Sequence, residues 1–212
     1  MDAHVHFREV RDGVGEMPRM LGSDARDNRD RVLVAARELF AEHGLDVTMR
    51  EVARRADVGP ATLYRRFPTK VDLVDAAFAD ETRLCETIIE DGCADRDPWR
   101  GFCSVIEGLC VLNGRNQGFV LAFTSANVEP PDHADRRRAA LQSLAALGRR
   151  AQAAGALRPD FTIDDLVLVL LAGRALGSLP QEKREAATRR FAALAVDAFR
   201  APAAPPEGHA AH

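Results

Sequence analysis

Residues 48–70 read TMREVARRADVGPATLYRRFPTK, and this stretch predicts two short helices joined by a tight turn. Thr48 followed by Glu51 is the pattern of a capping box, in which each side chain binds the other residue's backbone N–H at the start of a helix. Pro60 suits the first position of the next helix, because its missing N–H would have no partner there. Pro68 then ends that helix, because the residue before a proline disfavours helical backbone. The stretch therefore predicts a helix-turn-helix.

The side chains around this stretch divide into a buried set and an exposed set. The apolar ones are expected to pack against a first helix over about 30–43, and they are Val52, Ala56, Val58, Leu63 and Phe67. The second helix of such a motif enters the major groove, where small side chains allow close approach to bases and long donors reach phosphates. Arg50 has the forked donors that read guanine. The candidates for DNA contact are Thr48, Arg50, Pro60, Ala61, Thr62, Tyr64, Arg65, Arg66 and Lys70.

Residues 31–78 resemble the N-terminal domain of the tetracycline-repressor (TetR) family, through the pattern T-x-R-x-V-A followed by T-L-Y-x-x-F-x-x-K. The resemblance implies an all-helical homodimeric repressor whose larger C-terminal domain binds a small ligand that releases the DNA. It implies phosphate contacts for Thr48, Tyr64 and Lys70. It also implies a position near the bases for Arg50, Ala61, Thr62 and Tyr64.

Two positions depart from the pattern of that family. Asp57 stands where the family usually has glycine, although aspartate tolerates a left-handed backbone better than most residues. Gly59 replaces the usual serine or threonine and so removes a side-chain cap. The sequence pattern therefore defines the fold better than it defines which side chains read an operator.

The composition of the 212-residue chain predicts an all-α protein. Hydrophobic residues make up 46% of the chain, β-branched residues are sparse, and no alternating apolar pattern persists. The segment 29–70 holds nine basic and six acidic residues, whereas the whole chain has a net charge of −3. This distribution favours a localised contact with a polyanion and argues against a wholly cationic coat protein.

The chain is predicted to have four parts. These are a disordered arm over 1–28, a DNA-binding domain over 29–75, a helical effector-binding and dimerisation domain over 76–200, and a flexible tail over 201–212. Further helices are expected near 70–93, 97–114, 117–126, 132–154, 163–178 and 182–199. The N-terminus lacks the apolar region of a secretory signal, and the longest apolar run is too short to cross a membrane. A cytoplasmic protein with reduced thiols is therefore expected.

The helices near 163–178 and 182–199 are the predicted dimer interface. The first is apolar on every side, which is typical of a helix buried all round. A helix-turn-helix reads two half-sites, so we expect the two helices to form a four-helix interface in a homodimer. Packing wholly inside one chain is the alternative.

The helices 97–114 and 117–126 are the predicted sensor of a small apolar or amphipathic effector. Gly101 and Gly108 are expected to leave gaps beside their apolar side chains and so to form a pocket. The candidate lining residues are Trp99, Phe102, Cys103, Ile106, Phe119 and Phe123, and the candidates for polar contacts are Glu107, Asn113 and Asn127. A well-packed core without a void fits the same pattern equally well.

No catalytic function, metal or cofactor is predicted. The H-E-x-x-H, G-x-S-x-G and phosphate-loop motifs are absent, and the acidic residues around His133 are interpreted as a solvated loop. No C-x-x-C pair occurs among the four cysteines, Cys85, Cys93, Cys103 and Cys110, which favours buried structural thiols. Two alternatives to a ligand-responsive repressor remain, namely an interaction module whose reader domain no longer binds DNA and a redox-sensing regulator that uses its cysteines.

Overall fold

The computed structural model describes residues 17–124 and 131–202, except for the side chains of 17–25, 117, 123–124 and 131–134. Nine α-helices and two short 3₁₀ helices, with no strand, account for nearly all of the described residues, which confirms the all-α class. The α-helices are α1 (Met17–His43), α2 (Met49–Arg55), α3 (Pro60–Arg66), α4 (Lys70–Ala94), α5 (Pro98–Arg115), α6 (Gln117–Thr124), α7 (Pro131–Ala153), α8 (Ile163–Gly173) and α9 (Gln181–Phe199). The 3₁₀ helices are Gly44–Asp46 and Arg174–Ser178.

The first three helices form the predicted helix-turn-helix domain. At the start of α2, the Glu51 amide donates to the Thr48 hydroxyl at 3.2 Å, and the Thr48 amide donates to the Glu51 carboxylate at 2.7 Å. Pro60 is the first residue of α3, and the backbone leaves the helical region at Phe67. The apolar side chains predicted to face α1 are buried, except Val58, which is half-buried.

Helix α1 starts further towards the N-terminus than the sequence analysis expected. It begins at Met17, so the prediction of a disordered arm over 1–28 is wrong for 17–28, whereas 1–16 lie outside the described residues. Polar and charged residues suggested disorder there. Adding a residue to an existing helix avoids the cost of nucleation, so a polar segment continues a helix that is anchored at its other end.

The close crossing of α4 and α5 organises the C-terminal domain. A Cβ atom at Gly101 would overlap the Gly92 carbonyl oxygen, and one at Gly108 would lie 2.8 Å from Cγ2 of Ile88. The prediction that Gly101 and Gly108 leave gaps for a pocket is therefore wrong. Gly101 lets two helix backbones approach each other, whereas Gly108 meets the side chain of Ile88 and borders a groove on another face.

Helix α8 has one buried and one exposed face in the single chain, so it is not buried all round. Leu166 and Leu170 are buried, whereas Leu168 is 64% exposed. The Asn113 side-chain amide donates to the Leu170 carbonyl at 2.6 Å, and the Arg174 amide bonds to the carbonyl three residues back, as in a 3₁₀ helix. The predicted helix 163–178 therefore changes from α to 3₁₀ geometry at Gly173.

Tight contacts fix the ends of the second domain. Asp95, just after α4, pairs with Arg100, and hydrogen bonds from that guanidinium lower the pKa of the Asp95 carboxyl to about 2. The Ala201 amide donates to the Ala156 carbonyl at 2.9 Å, so the described start of the predicted tail is hydrogen-bonded to the domain.

None of the helices in the described ranges combines the length and the apolar character that a membrane span requires.

Candidate functional site

Helix α3 is held from behind and is open in front. Leu63 and Phe67 are buried against the domain core, while Tyr64 is 45% exposed and its neighbours Arg65 and Arg66 are exposed. Pro60 and Ala61 are exposed at the start of the helix, and Thr62 is half-buried. A helix of under two turns is marginal in isolation, so its apolar anchors keep its outer surface in place.

The cations on the outer surface are available for a ligand. In the described part of the chain, no carboxylate pairs with Arg50, Arg65 or Arg66. On the side that faces α1, by contrast, Arg55 lies 3.0 Å from Glu38 and 3.4 Å from Glu42. Arg55 is thus paired with carboxylates, whereas Arg50, Arg65 and Arg66 are exposed and have no carboxylate partner in the described chain.

Two predicted phosphate contacts have partners within the protein. The Lys70 ammonium donates to the Leu45 carbonyl, and burial lowers the pKa of this half-buried lysine. The Thr48 amide and hydroxyl both donate to Glu51, and the amide hydrogen bond lowers the pKa of the Glu51 carboxyl. Thr48 and Lys70 therefore brace the motif in this conformation, and their contacts with phosphate stay predictions.

The two departures from the family pattern have distinct structural consequences. Asp57 has a φ of 53°, so it occupies the left-handed conformation that a glycine would adopt freely. Gly59 precedes α3 and provides no side-chain hydrogen bond to cap it. Its carbonyl accepts from the amides of Thr62 and Leu63, so the backbone alone closes the first turn.

A cavity of about 150 Å³ lies inside the C-terminal domain, between α4 to α8. Its inner wall is apolar and buried, and α4, α5 and α6 contribute Cys85, Ile89, Leu109, Leu112, Phe119 and Val120. Leu144, Leu166 and Leu170 close the opposite side. Arg137, which is half-buried, and Asp164, which is exposed, are the charged residues of its lining.

This cavity lies beside, and not within, the set of residues predicted for the pocket. Of that set, Phe119 lines it, and the side chain of Phe123 lies outside the described residues. Trp99 stacks on Phe102, with ring centroids 5.8 Å apart, and Phe102 meets the edge of Phe161 at 5.2 Å. Trp99, Phe102, Cys103 and Ile106 are not among the residues that line the cavity.

The polar residues suggested for the pocket also lie elsewhere. Asn113 is buried and bonds to α8, Glu107 borders an open groove on another face, and Asn127 lies outside the described residues. The residues that were missed, such as Cys85 and Leu166, come from helices to which the sequence assigned no sensing role. No signal in the sequence identified them, since a cavity wall has the same apolar periodicity as a packed core.

Aromatic contacts connect the cavity wall to the helix-turn-helix domain. Phe119 of α6 lies 6.1 Å from Phe78, which lies 6.0 Å from Phe40 of α1 (ring centroids). Phe78 has non-helical dihedral angles and marks a kink in α4. Beside the kink, Nε of Arg37 donates to the Ala77 carbonyl at 2.6 Å. A movement of α6 would therefore act directly on α1 and on the kink.

Of the four cysteines, Cys85 and Cys110 are buried, and Cys93 and Cys103 are half-buried. All four are free, and burial raises the pKa of Cys85 to about 12 and the pKa values of Cys103 and Cys110 to about 11. Thiolates, the reactive form, are therefore scarce at neutral pH. The part of the chain that the structure describes contains no cluster of metal-ligating side chains. Glu129 and the side chains of Asp132 and His133 lie outside that part.

Comparison with known proteins agrees with this architecture. Residues 32–77 match the family model described as bacterial regulatory proteins of the tetR family, and residues 97–201 match the C-terminal domain of SbtR-like transcriptional regulators. The repressor KstR of Mycobacterium tuberculosis is 36% identical over 111 residues, which are 51% of this chain and 50% of that protein. KstR of Mycolicibacterium smegmatis is 48% identical over 63 residues, which are 29% of this chain and 31% of that protein. The chain thus spans between about a third and a half of these relatives.

A solved structure shares the fold over most of both chains. The ketosteroid transcriptional regulator KstR2 of Mycobacterium tuberculosis superposes with a TM-score of 0.60 over 82% of this chain and 95% of that one, at 18% identity. The two family models together match most of the sequence, one over each domain. A helix-turn-helix beside a helical second domain defines a class of bacterial transcriptional regulators. The chain belongs to the TetR family.

Membership of this family confirms the resemblance seen in residues 31–78 and the prediction of a regulator. The relatives described above are repressors and regulators and not enzymes, in agreement with the prediction for this chain. Identity to the KstR2 structure is low, so that likeness concerns the fold alone.

Proposed function

We propose that the protein represses transcription by binding a near-palindromic operator as a homodimer, and that a small effector in the cavity releases it. The observation that carries the DNA-binding part is the set of unpaired cations, Arg50, Arg65 and Arg66, on the open side of a braced helix-turn-helix. These side chains suit a polyanion, and α3 has the position of a recognition helix.

Exposed leucines support the homodimer. Leu168 and Leu171 of α8 are 64% and 37% exposed, and Leu194 of α9 is 50% exposed. Ala172 of α8 is also exposed, and its small side chain would allow close helix approach. Apolar side chains on adjacent helices favour burial against a second copy, which would form a four-helix interface and present two α3 helices to one operator.

The path from Phe119 through Phe78 to Phe40 supports the release step. A ligand in the cavity would displace Phe119 and α6, and close packing would transmit the shift to α1 and α4. The distance between the two α3 helices of a dimer would then no longer match the spacing of the half-sites. The protein thus has a wall shared between the ligand cavity and the core behind the DNA-binding surface.

The experiment that tests DNA binding starts with selection of bound duplexes from a random pool. On the recovered operator, we expect Arg50→Ala to reduce affinity by about 5- to 100-fold, the worth of one base contact, and to change binding to random DNA much less. Arg66→Ala should weaken binding to both DNAs and reduce its salt dependence, because it removes a phosphate contact.

Arg55→Ala is the matched control, because Arg55 lies in the same domain but is paired with Glu38 and Glu42. It should leave both affinities nearly unchanged. Equal losses on operator and random DNA for Arg50→Ala would refute its role in base reading. If the selection recovered no preferred sequence, the alternative of an interaction module would replace a DNA reader.

The raised pKa values of the Cys85, Cys103 and Cys110 thiols favour a small effector over a redox signal.

A further inference from the structure

The size of the cavity limits what can occupy it. Its volume is about 150 Å³, whereas pockets for drug-sized ligands start at about 300 Å³. An engineered apolar cavity of about 150 Å³ in another protein stays dry and binds benzene. The cavity here has the dimensions of a single ring with small substituents.

The lining of the cavity limits the polarity of its occupant. The inner wall consists of buried apolar side chains and one thiol, so an ion there would lose its hydration without compensation. Arg137 and Asp164 bring one charge of each sign to the lining, from α7 and α8. Because these two charges are of opposite sign, this side of the lining suits a neutral hydroxyl, carbonyl or amide better than a charged group.

We propose that the effector is a compact, uncharged molecule of about six to ten non-hydrogen atoms, with an apolar ring in the inner cavity and one hydrogen-bonding group near Arg137 and Asp164. This inference rests on the proposed function and specifies its ligand. A substituted monocyclic phenol meets both requirements. A fused-ring steroid skeleton or a long acyl chain is too large, although one solved neighbour is named for ketosteroids.

The test measures binding of p-cresol and of progesterone to the full-length protein by isothermal titration calorimetry, without DNA. We expect p-cresol to bind and progesterone not to bind. Val167, half-buried in the lining, gives the blocking variant, because Val167→Phe fills space and should weaken p-cresol binding at least about tenfold. Val34→Phe makes the same change on an exposed position of α1 and should have no effect.

A second variant that enlarges the cavity keeps the test decisive if Val167→Phe does not fold. Leu141 is half-buried in the lining, and Leu141→Ala should make room for 2-naphthol and raise its affinity at least about tenfold over wild type. Progesterone binding as tight as that of p-cresol would overturn the proposed size class. So would a failure of Val167→Phe and Leu141→Ala to alter the binding of either phenol.

Measurement of operator affinity with and without p-cresol separates this inference from the proposed function. If p-cresol binds in the cavity and weakens operator binding, both stand. If p-cresol binds there without any effect on DNA, the ligand class stands and the release step fails. If the protein binds its operator but neither phenol, the ligand class is overturned and the DNA-binding part stands.

Discussion

Asp57 shows how one residue shapes the DNA-binding motif. Its left-handed backbone turns the chain between α2 and α3, and its exposed carboxylate lies 3.9 Å from Arg31. An exposed ion pair of that length adds little stability. The backbone conformation is therefore the main requirement at this position, and aspartate meets it because its short side chain tolerates positive φ.

The pair of variants Asp57→Ala and Asp57→Gly tests this requirement. Alanine in the left-handed region is strained, so we expect Asp57→Ala to lower the free energy of unfolding by about 1 kcal/mol. Asp57→Gly should be more stable than Asp57→Ala, because glycine has no Cβ to clash. Both variants remove the contact with Arg31, so the difference between them in urea denaturation isolates the backbone. Equal stability of the two would contradict this account.

Arg37 and Lys70 illustrate cations that serve the fold. Each donates to a backbone carbonyl. Arg37 donates to Ala77 beside the kink of α4, and Lys70 donates to Leu45 in the first 3₁₀ helix. The contrast with Arg66, which has no such partner in the described chain, comes from the direction in which each helix presents its side chain.

The crossing of α4 over α5 is sensitive to side-chain size. Gly92 and Gly101 face each other there, and the carbonyl of Gly92 occupies the place of a Cβ at Gly101. Backbone atoms cannot move aside as the end of a flexible side chain can. The crossing therefore admits no side chain larger than hydrogen on α5.

We predict that Gly101→Ala lowers the free energy of unfolding by about 1–3 kcal/mol, because it forces the two helices apart. Chemical denaturation followed by circular dichroism provides the measurement. Gly59→Ala is the control, since a Cβ at Gly59 would meet its nearest atom at 3.9 Å, and it should cost only the smaller amount by which alanine is a poorer N-cap than glycine. A neutral effect of Gly101→Ala would show that the crossing is looser than described.

The proposed assembly of two chains would depend on the exposed leucines of α8 and α9. In the single chain, Leu168 and Leu194 are half exposed or more. This apolar surface stays in contact with water unless a partner covers it. Burial of one such side chain is worth about 1.5–3 kcal/mol. In a symmetric interface with a second copy, these leucines would be buried in both chains.

We predict that the double variant Leu168→Glu with Leu194→Glu sediments as a monomer at micromolar concentration, while the wild type sediments as a dimer. Unpaired carboxylates in an apolar interface lose their hydration. The operator affinity of the double variant should also fall, because two monomers bind the two half-sites independently. Leu84→Glu, which changes an exposed leucine of α4, should remain dimeric. A monomeric wild type would contradict the proposed interface.

Patterns between near neighbours in the chain predicted much of the architecture. The capping box at Thr48 defines the start of α2, and Pro60 defines the start of α3. Each acts through hydrogen bonds or sterics within about one helical turn, so residue order is sufficient to locate it. The helices near 97–114 and 182–199 follow the structure within a few residues for the same reason.

The site in the second domain depended on contacts between residues far apart in the chain. Phe102 and Phe119 both lie in apolar helices, yet one is packed among aromatic rings and the other lines a cavity. Apolar periodicity reports which face of a helix is buried and carries no information about what fills the space opposite that face. The all-helical class and the DNA-reading motif thus follow from local order. The cavity, the tight glycine crossing and the exposed leucines of α8 depend on how distant helices meet, because packing is set by the shapes of surfaces brought together only on folding.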